Sequence, residues 1–205
     1  MSAHDDLPVV IINGLGASRP LAEGYAMVFR ARGFKTYSCP QRILGFGDIR
    51  ISAKLVAGEV ERVLRETGAP KVKLVGMSLG GLIGLYYIKC DGGAPLVERF
   101  ISVGGPLNGS ALAHVSALIP SEAVHALAQS RPDSDIQRRI HAAPNPPGVR
   151  LISVGTKGDV MTPRASWEVP GMENVETPYG GCPIGHWLLF THPGNHRVVA
   201  DLLRQ

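Results

Sequence analysis

Short apolar runs alternate along the chain with longer stretches in which apolar positions recur every three or four residues. The first run, 7–12, is rich in Val and Ile and stops at Asn13-Gly14-Leu15-Gly16, the pattern of a buried strand closed by a turn. Residues 19–32 place Leu21, Tyr25, Val28 and Phe29 on one helical face, with Gly33 as the stop. A second strand is expected over 34–38. Residues 51–67 space Leu55, Val60, Val63 and Leu64 along one side of a helix that Gly68 ends. A third strand, 71–75, runs into Gly76-Met77-Ser78-Leu79-Gly80, and an apolar helix over 79–88 follows. Further strands are read at 97–103, 149–154 and 174–177, and a closing helix at 196–203.

Strands separated by single helices pair in parallel, because a crossover helix returns the chain to the same edge of the sheet. The expected architecture is therefore α/β: a three-layer, doubly wound, mostly parallel sheet whose functional groups gather at the carboxyl ends of the strands. Between the fourth and fifth strands the pattern changes. Residues 106–147 are rich in Ala and Leu and broken by Pro120 and Pro132, and Ser134-Asp135-Ile136-Gln137 reads as a capping box for a short helix through His141. Leu112, Val115, Leu118 and Ile119 share one face, as do Val124, Leu127 and Ala128. The segment 110–147 is a short helical, lid-like excursion or ordinary packing on the sheet; spacing alone leaves both open.

Composition narrows the picture. A chain of 205 residues with 44% apolar and 19% charged residues fits one globular domain, 1–205. The net charge of +4 is mild, and the only adjacent basic pair is Arg138-Arg139, so no nucleic-acid partner is expected. Cys39, Cys90 and Cys182 form no C-x-x-C, which argues against a zinc site or a disulfide framework; reduced thiols in a cytoplasmic protein are the simpler reading. The first residues carry Asp5 and Asp6 where a secretory leader would be basic, and no run is long enough to span a bilayer. Neither a metal nor a cofactor is called for.

The candidate chemistry sits at Ser78. Gly-x-Ser-x-Gly is a weak signal alone, but here a strand precedes it and a helix follows, the context of a nucleophile on a sharp turn. A serine hydroxyl needs a base and a group to orient that base. Asp159 lies just past the fifth strand, and His186 follows a Gly/Pro-rich loop, giving the chain order Ser, Asp, His. Two backbone donors complete such a site: the N–H of Leu79, directly after the serine, and that of Leu15 in the loop after the first strand. His192 and His196 are the rivals to His186; His196 is expected to open the last helix and face away. His4, His114, His125 and His141 read as terminal, surface or cap residues, and Asp201, Glu168, Glu173 and Glu176 as the weaker acids.

Through these motifs the chain resembles the small α/β-hydrolase lipases and esterases. The matching segments are Ile-Asn13-Gly-Leu-Gly, Thr67-Gly68-Ala69, Gly-Met77-Ser78-Leu-Gly-Gly-Leu, Gly105-Pro106-Leu107-Asn-Gly109-Ser110, Gly-Asp159-Val-Met-Thr-Pro163 and Gly-His186. The resemblance implies a minimal α/β-hydrolase fold and a serine carboxylic ester hydrolase with Ser78, Asp159 and His186 as catalytic residues. Its implied partner is a small-molecule or lipid ester, with no integral membrane association. Many relatives carry His where this chain has Met77 and Asn13; these positions, with Leu107, are the expected substrate contacts. Acyl transfer to another acceptor and thioester hydrolysis use the same elements, and a non-catalytic ligand-binding protein of the same fold is the third reading.

Overall fold

The computed structural model describes residues 7–16, 19–40, 47–110, 113, 125–182 and 184–205. Their strands form one six-stranded sheet, all parallel, in the order β2-β1-β3-β4-β5-β6. The strands are β1 (Val9–Ile12), β2 (Thr36–Ser38), β3 (Val72–Met77), β4 (Val97–Val103), β5 (Arg150–Thr156) and β6 (Glu173–Thr177). The helices are α1 (Arg19–Arg30), α2 (Ile49–Thr67), α3 (Leu79–Cys90), α4 (His125–Gln129), α5 (Asp135–Ala142), α6 (Arg164–Trp167), α7 (Gly185–Thr191) and α8 (Pro193–Arg204). The chain winds outward from β1 to β2, then returns to β3 and continues the other way. The reversal lies between β1 and β3, where a doubly wound sheet opens a crevice at its carboxyl edge.

Alternation along each strand divides the core in two, because successive side chains point to opposite faces. Val10, Ile12, Leu74, Phe100 and Leu151 face α2, α3 and α5 and pack with Val56, Val60, Val63, Leu82, Leu85 and Ile136. Val9, Ile11, Val75, Ile101, Ile152 and Val154 face α1 and α8 and pack with Tyr25, Phe29, Val199 and Leu203. Lys73 and Arg99, both buried, donate to the carbonyls of Leu203 and Leu202 at the last turn of α8. Cations at that end meet the negative pole of the helix and the carbonyls that have no intrahelical donor.

Local chemistry sets the element ends. Asp48 caps α2 by accepting from the Arg50 N–H, and Gly68 closes it in the left-handed region at φ 68°. Ser134 caps α5 through the Gln137 N–H, but the Gln137 side chain donates to the Pro106 carbonyl instead of turning back, so only half of the expected capping box forms. β3 runs two residues beyond the expected end, since Gly76 and Met77 still pair with Ser102 and Val103. α8 starts at Pro193, earlier than expected, because the His192 ring accepts from the Gly194 N–H and proline suits a first helical turn.

Of the expected excursion, α4 and α5 pack onto the core through Ala126, Ile136 and Ile140. Leu112, Val115, Leu118, Ile119 and Val124 lie outside the described residues. Cys39, Cys90 and Cys182 are free thiols. No helix among the described residues is long and apolar enough to cross a membrane.

Candidate active site

The serine stands on a backbone that leaves it no choice of direction. Ser78 has φ 51° and ψ −124°, making it the only non-glycine residue with positive φ among those described. Such a conformation costs of order 1–3 kcal/mol and persists where its surroundings enforce it. The enforcement is visible. The Ser78 N–H donates to the Val103 carbonyl at 2.8 Å, tying the turn to β4, and its own carbonyl accepts from Gly81 at 2.8 Å, starting α3. A Cβ on Gly76 would lie 2.5 Å from the Gly80 carbonyl oxygen, and one on Gly80 would strike the backbone of β1. Both glycines are needed for the helix to begin this close to the strands.

His186 is the second residue of α7 and is buried, as is Asp159. Its Nε2 lies 2.9 Å from Ser78 Oγ and its Nδ1 2.7 Å from Asp159 Oδ2. A carboxylate can only accept, so Nδ1 carries the hydrogen and the Nε2 lone pair faces the serine hydroxyl. The structure therefore brings these three side chains, from three separate parts of the chain, into one hydrogen-bonded line.

The loop after β5 holds the carboxylate on every side. Asp159 Oδ1 accepts from the Met161 and Thr162 N–H groups at 2.8 and 2.9 Å, and Oδ2 accepts from Thr162 Oγ1 at 2.7 Å. Burial acts to raise its pKa, but the hydrogen bonds and charge of His186 and the donors of Thr162 outweigh burial and hold it below the ordinary carboxylate value. A β-bridge from Asp159 to Ile184 ties this loop to the start of α7. Thr162 is the residue that sequence reasoning missed. The available signal was a short polar side chain three positions past an aspartate at a strand end, the setting of a local side-chain turn.

Leu15 and Leu79 flank Ser78 on the wall of a cavity of about 230 Å³. Leu79 is the first residue of α3, so its N–H has no intrahelical acceptor. Met77, Leu21, Pro106, Leu127, Met161, Trp187 and Phe190 also line the cavity.

Two expected substrate contacts lie elsewhere. Leu107 is fully buried in the core beneath α3, because the turn after β4 folds inward and Gln137 holds the carbonyl before it. Asn13 is buried with its amide donating to Ser38 Oγ at 3.2 Å, which joins the ends of β1 and β2; it is not among the cavity-lining residues.

The other candidates are also accounted for. His196 lies inside α8 and its Nε2 meets the Phe190 carbonyl at 2.7 Å; burial pushes its pKa below the ordinary value, with the Phe190 carbonyl acting the other way. His192 caps α8 and stacks on Tyr179. His125 and His141 are exposed; His4 and His114 lie outside the described residues. Asp201, Glu168, Glu173 and Glu176 form surface ion pairs with arginines. Among the described residues no group of His, Cys, Asp and Glu could hold a metal ion.

No family model matches the chain. Solved structures do. The mature form of Bacillus licheniformis lipase BlEst2 superposes with a TM-score of 0.80 at 15% identity, covering 98% of this chain and 93% of that one. Paleococcus ferrophilus monoacylglycerol lipase gives 0.63 at 16% identity, with 96% and 95% covered. MGS-MChE2, an α/β-hydrolase enzyme from a sediment metagenome of the lagoon of Mar Chica, Morocco, gives 0.63 at 18% identity, with 96% and 89% covered. The chain has the α/β-hydrolase fold in a minimal form, its described residues forming a single parallel six-stranded sheet flanked by helices.

Proposed function

We propose that the protein hydrolyses carboxylic esters through an acyl-enzyme on Ser78. The observation that carries this reading is the unbroken line from Ser78 Oγ through the His186 ring to Asp159, at the wall of an apolar cavity. The solved structures similar to it include proteins named as lipases, which fits the reading.

In the first half of the reaction Ser78 Oγ attacks the ester carbonyl while His186 Nε2 takes its proton. The Leu15 and Leu79 N–H groups receive the charge that develops on the carbonyl oxygen, and each such donor is typically worth about 3 kcal/mol. Asp159 holds the Nδ1–H tautomer and stabilises the imidazolium; Thr162 holds Asp159. His186 then gives the proton to the leaving alcohol. In the second half His186 draws a proton from water, the resulting nucleophile attacks the acyl carbon, and the carboxylic acid leaves as Ser78 recovers its hydrogen.

Ser78→Ala should lower the turnover of a p-nitrophenyl ester by ~10⁴-fold or more. Unchanged turnover in that variant contradicts the reading.

A further inference from the structure

We infer that the cavity beside Ser78 accepts an uncharged alkyl acyl chain of about eight carbons, so that the preferred substrates are simple medium-chain alkanoate esters; this rests on the ester-hydrolase reading above. The chemistry of the wall comes first. Leu15, Met77, Leu127, Met161, Trp187 and Phe190 supply its apolar surface, and the described lining residues include no Lys, Arg, Asp or Glu. Three hydroxyls besides Ser78 reach the lining, but each hydrogen is already committed. Ser110 Oγ donates to the Met161 carbonyl at 2.9 Å, Ser130 Oγ to the Leu127 carbonyl at 2.7 Å, and Thr162 Oγ1 to Asp159 at 2.7 Å. Their oxygens can still accept, but an anionic group entering here would lose its water and find no donor from these hydroxyls in exchange. Such a loss is severe for a charge.

Size follows from volume. An apolar cavity of 150 Å³ holds benzene, or about 25 Å³ per non-hydrogen atom, so one of about 230 Å³ holds about nine. An octanoyl group, eight carbons and a carbonyl oxygen, has that many. A longer chain must emerge at the mouth, where Leu21, Met161 and Trp187 are 49%, 38% and 58% exposed. Methylenes there stay partly in water and add little.

The test is a series of p-nitrophenyl alkanoates from acetate to decanoate, each below its solubility limit, with the ω-carboxy analogue of the octanoate. A fully buried methylene is worth about fourfold in kcat/KM. The expected profile rises by about two- to fourfold per methylene to octanoate and then levels or falls, with the ω-carboxy ester ~100-fold below octanoate. Leu127→Asp, at a partly exposed position that tolerates a polar side chain, should lower the octanoate-to-acetate ratio at least about tenfold.

A flat series, an unbroken rise to decanoate, an ω-carboxy ester as good as octanoate, or an unchanged ratio in Leu127→Asp overturns the inference. A serine-reactive phosphonate separates the two levels. If Ser78 is labelled and acetate is hydrolysed but the series is flat, only the chain-length inference fails. If Ser78 is not labelled and no ester is turned over, the ester-hydrolase reading fails with it.

Discussion

Ser78 and His186 meet across 2.9 Å, yet they are held there by different means. The serine is fixed by backbone: a positive φ, a bond to β4, and glycines that let α3 start against the strands. Histidine, in the first turn of α7, and aspartate, on the loop after β5, are aimed by the side-chain hydrogen bond between them, with Thr162 and the bridge at Ile184 as the supports. A backbone-held group tolerates almost no substitution nearby but needs no partner. A hydrogen-bonded group tolerates changes around it but loses its aim when one donor goes.

The contrast can be broken at each half. The largest expected loss is at the nucleophile half: Gly80→Val forces side-chain atoms into the backbone of β1 and should abolish soluble, folded protein, read by circular dichroism and by loss of a cooperative melt. A native-like melt in Gly80→Val contradicts the rigid-elbow account. Next is Asp159→Asn, which keeps the shape of the side chain but allows the wrong imidazole tautomer. It should fold and lose ~10⁴-fold in kcat. The middle effect belongs to Thr162→Val, which removes the hydroxyl but keeps the backbone donor. Loss of one hydrogen bond to a charged group costs about 1.5–3 kcal/mol at most, so kcat should fall by about 10- to 100-fold with KM little changed, and Thr162→Ser should recover most of it. A Thr162→Val variant as active as the parent shows that the backbone donors alone aim the carboxylate.

The smallest effect is on acid stability. The folded pKa of Asp159 lies below its unfolded value, taken as 3.8. Its contribution to stability is therefore present in full above the unfolded value and is lost as pH falls through the folded one. The stability advantage of the parent over Asp159→Asn should shrink as pH falls below about 5, read from urea unfolding at stepped pH. A difference that does not change with pH in that range contradicts the depressed value.

The two halves also differ in how readily the sequence discloses them. Strand, glycine, serine, glycine and apolar helix are adjacent in the chain, so local pattern suffices to propose the elbow at Ser78. The sheet is legible for a similar reason: β1 is buried on both faces and appears as an unbroken Val/Ile run, and β3, β4 and β5 are short apolar runs set between helical patterns. Strand ends are less so, because Gly76 and Met77 look like turn residues yet pair to the last position. The segments leading to Asp159 and His186 have no period; the place of Asp159 just past a strand, the Gly/Pro-rich loop before His186 and the order Ser, Asp, His are the signals that point to them. Thr162 stayed hidden because its role depends on a three-dimensional contact with His186 as well as on a local turn. Leu107 is an expected substrate contact because it lies in a matching segment, and Asn13 because relatives carry His at its position. The structure turns one into the core and the other toward β2, since a residue beside a site along the chain need not face it.

The central claim is that Ser78 is an activated nucleophile and not merely a strained turn residue. Stoichiometric inactivation with a neutral alkyl phosphonate, followed by peptide mass spectrometry, tests it directly. The account predicts one adduct per chain, on Ser78, formed at least ~10³-fold more slowly in His186→Ala. Labelling of another residue, or labelling of Ser78 at the same rate without the histidine, contradicts it.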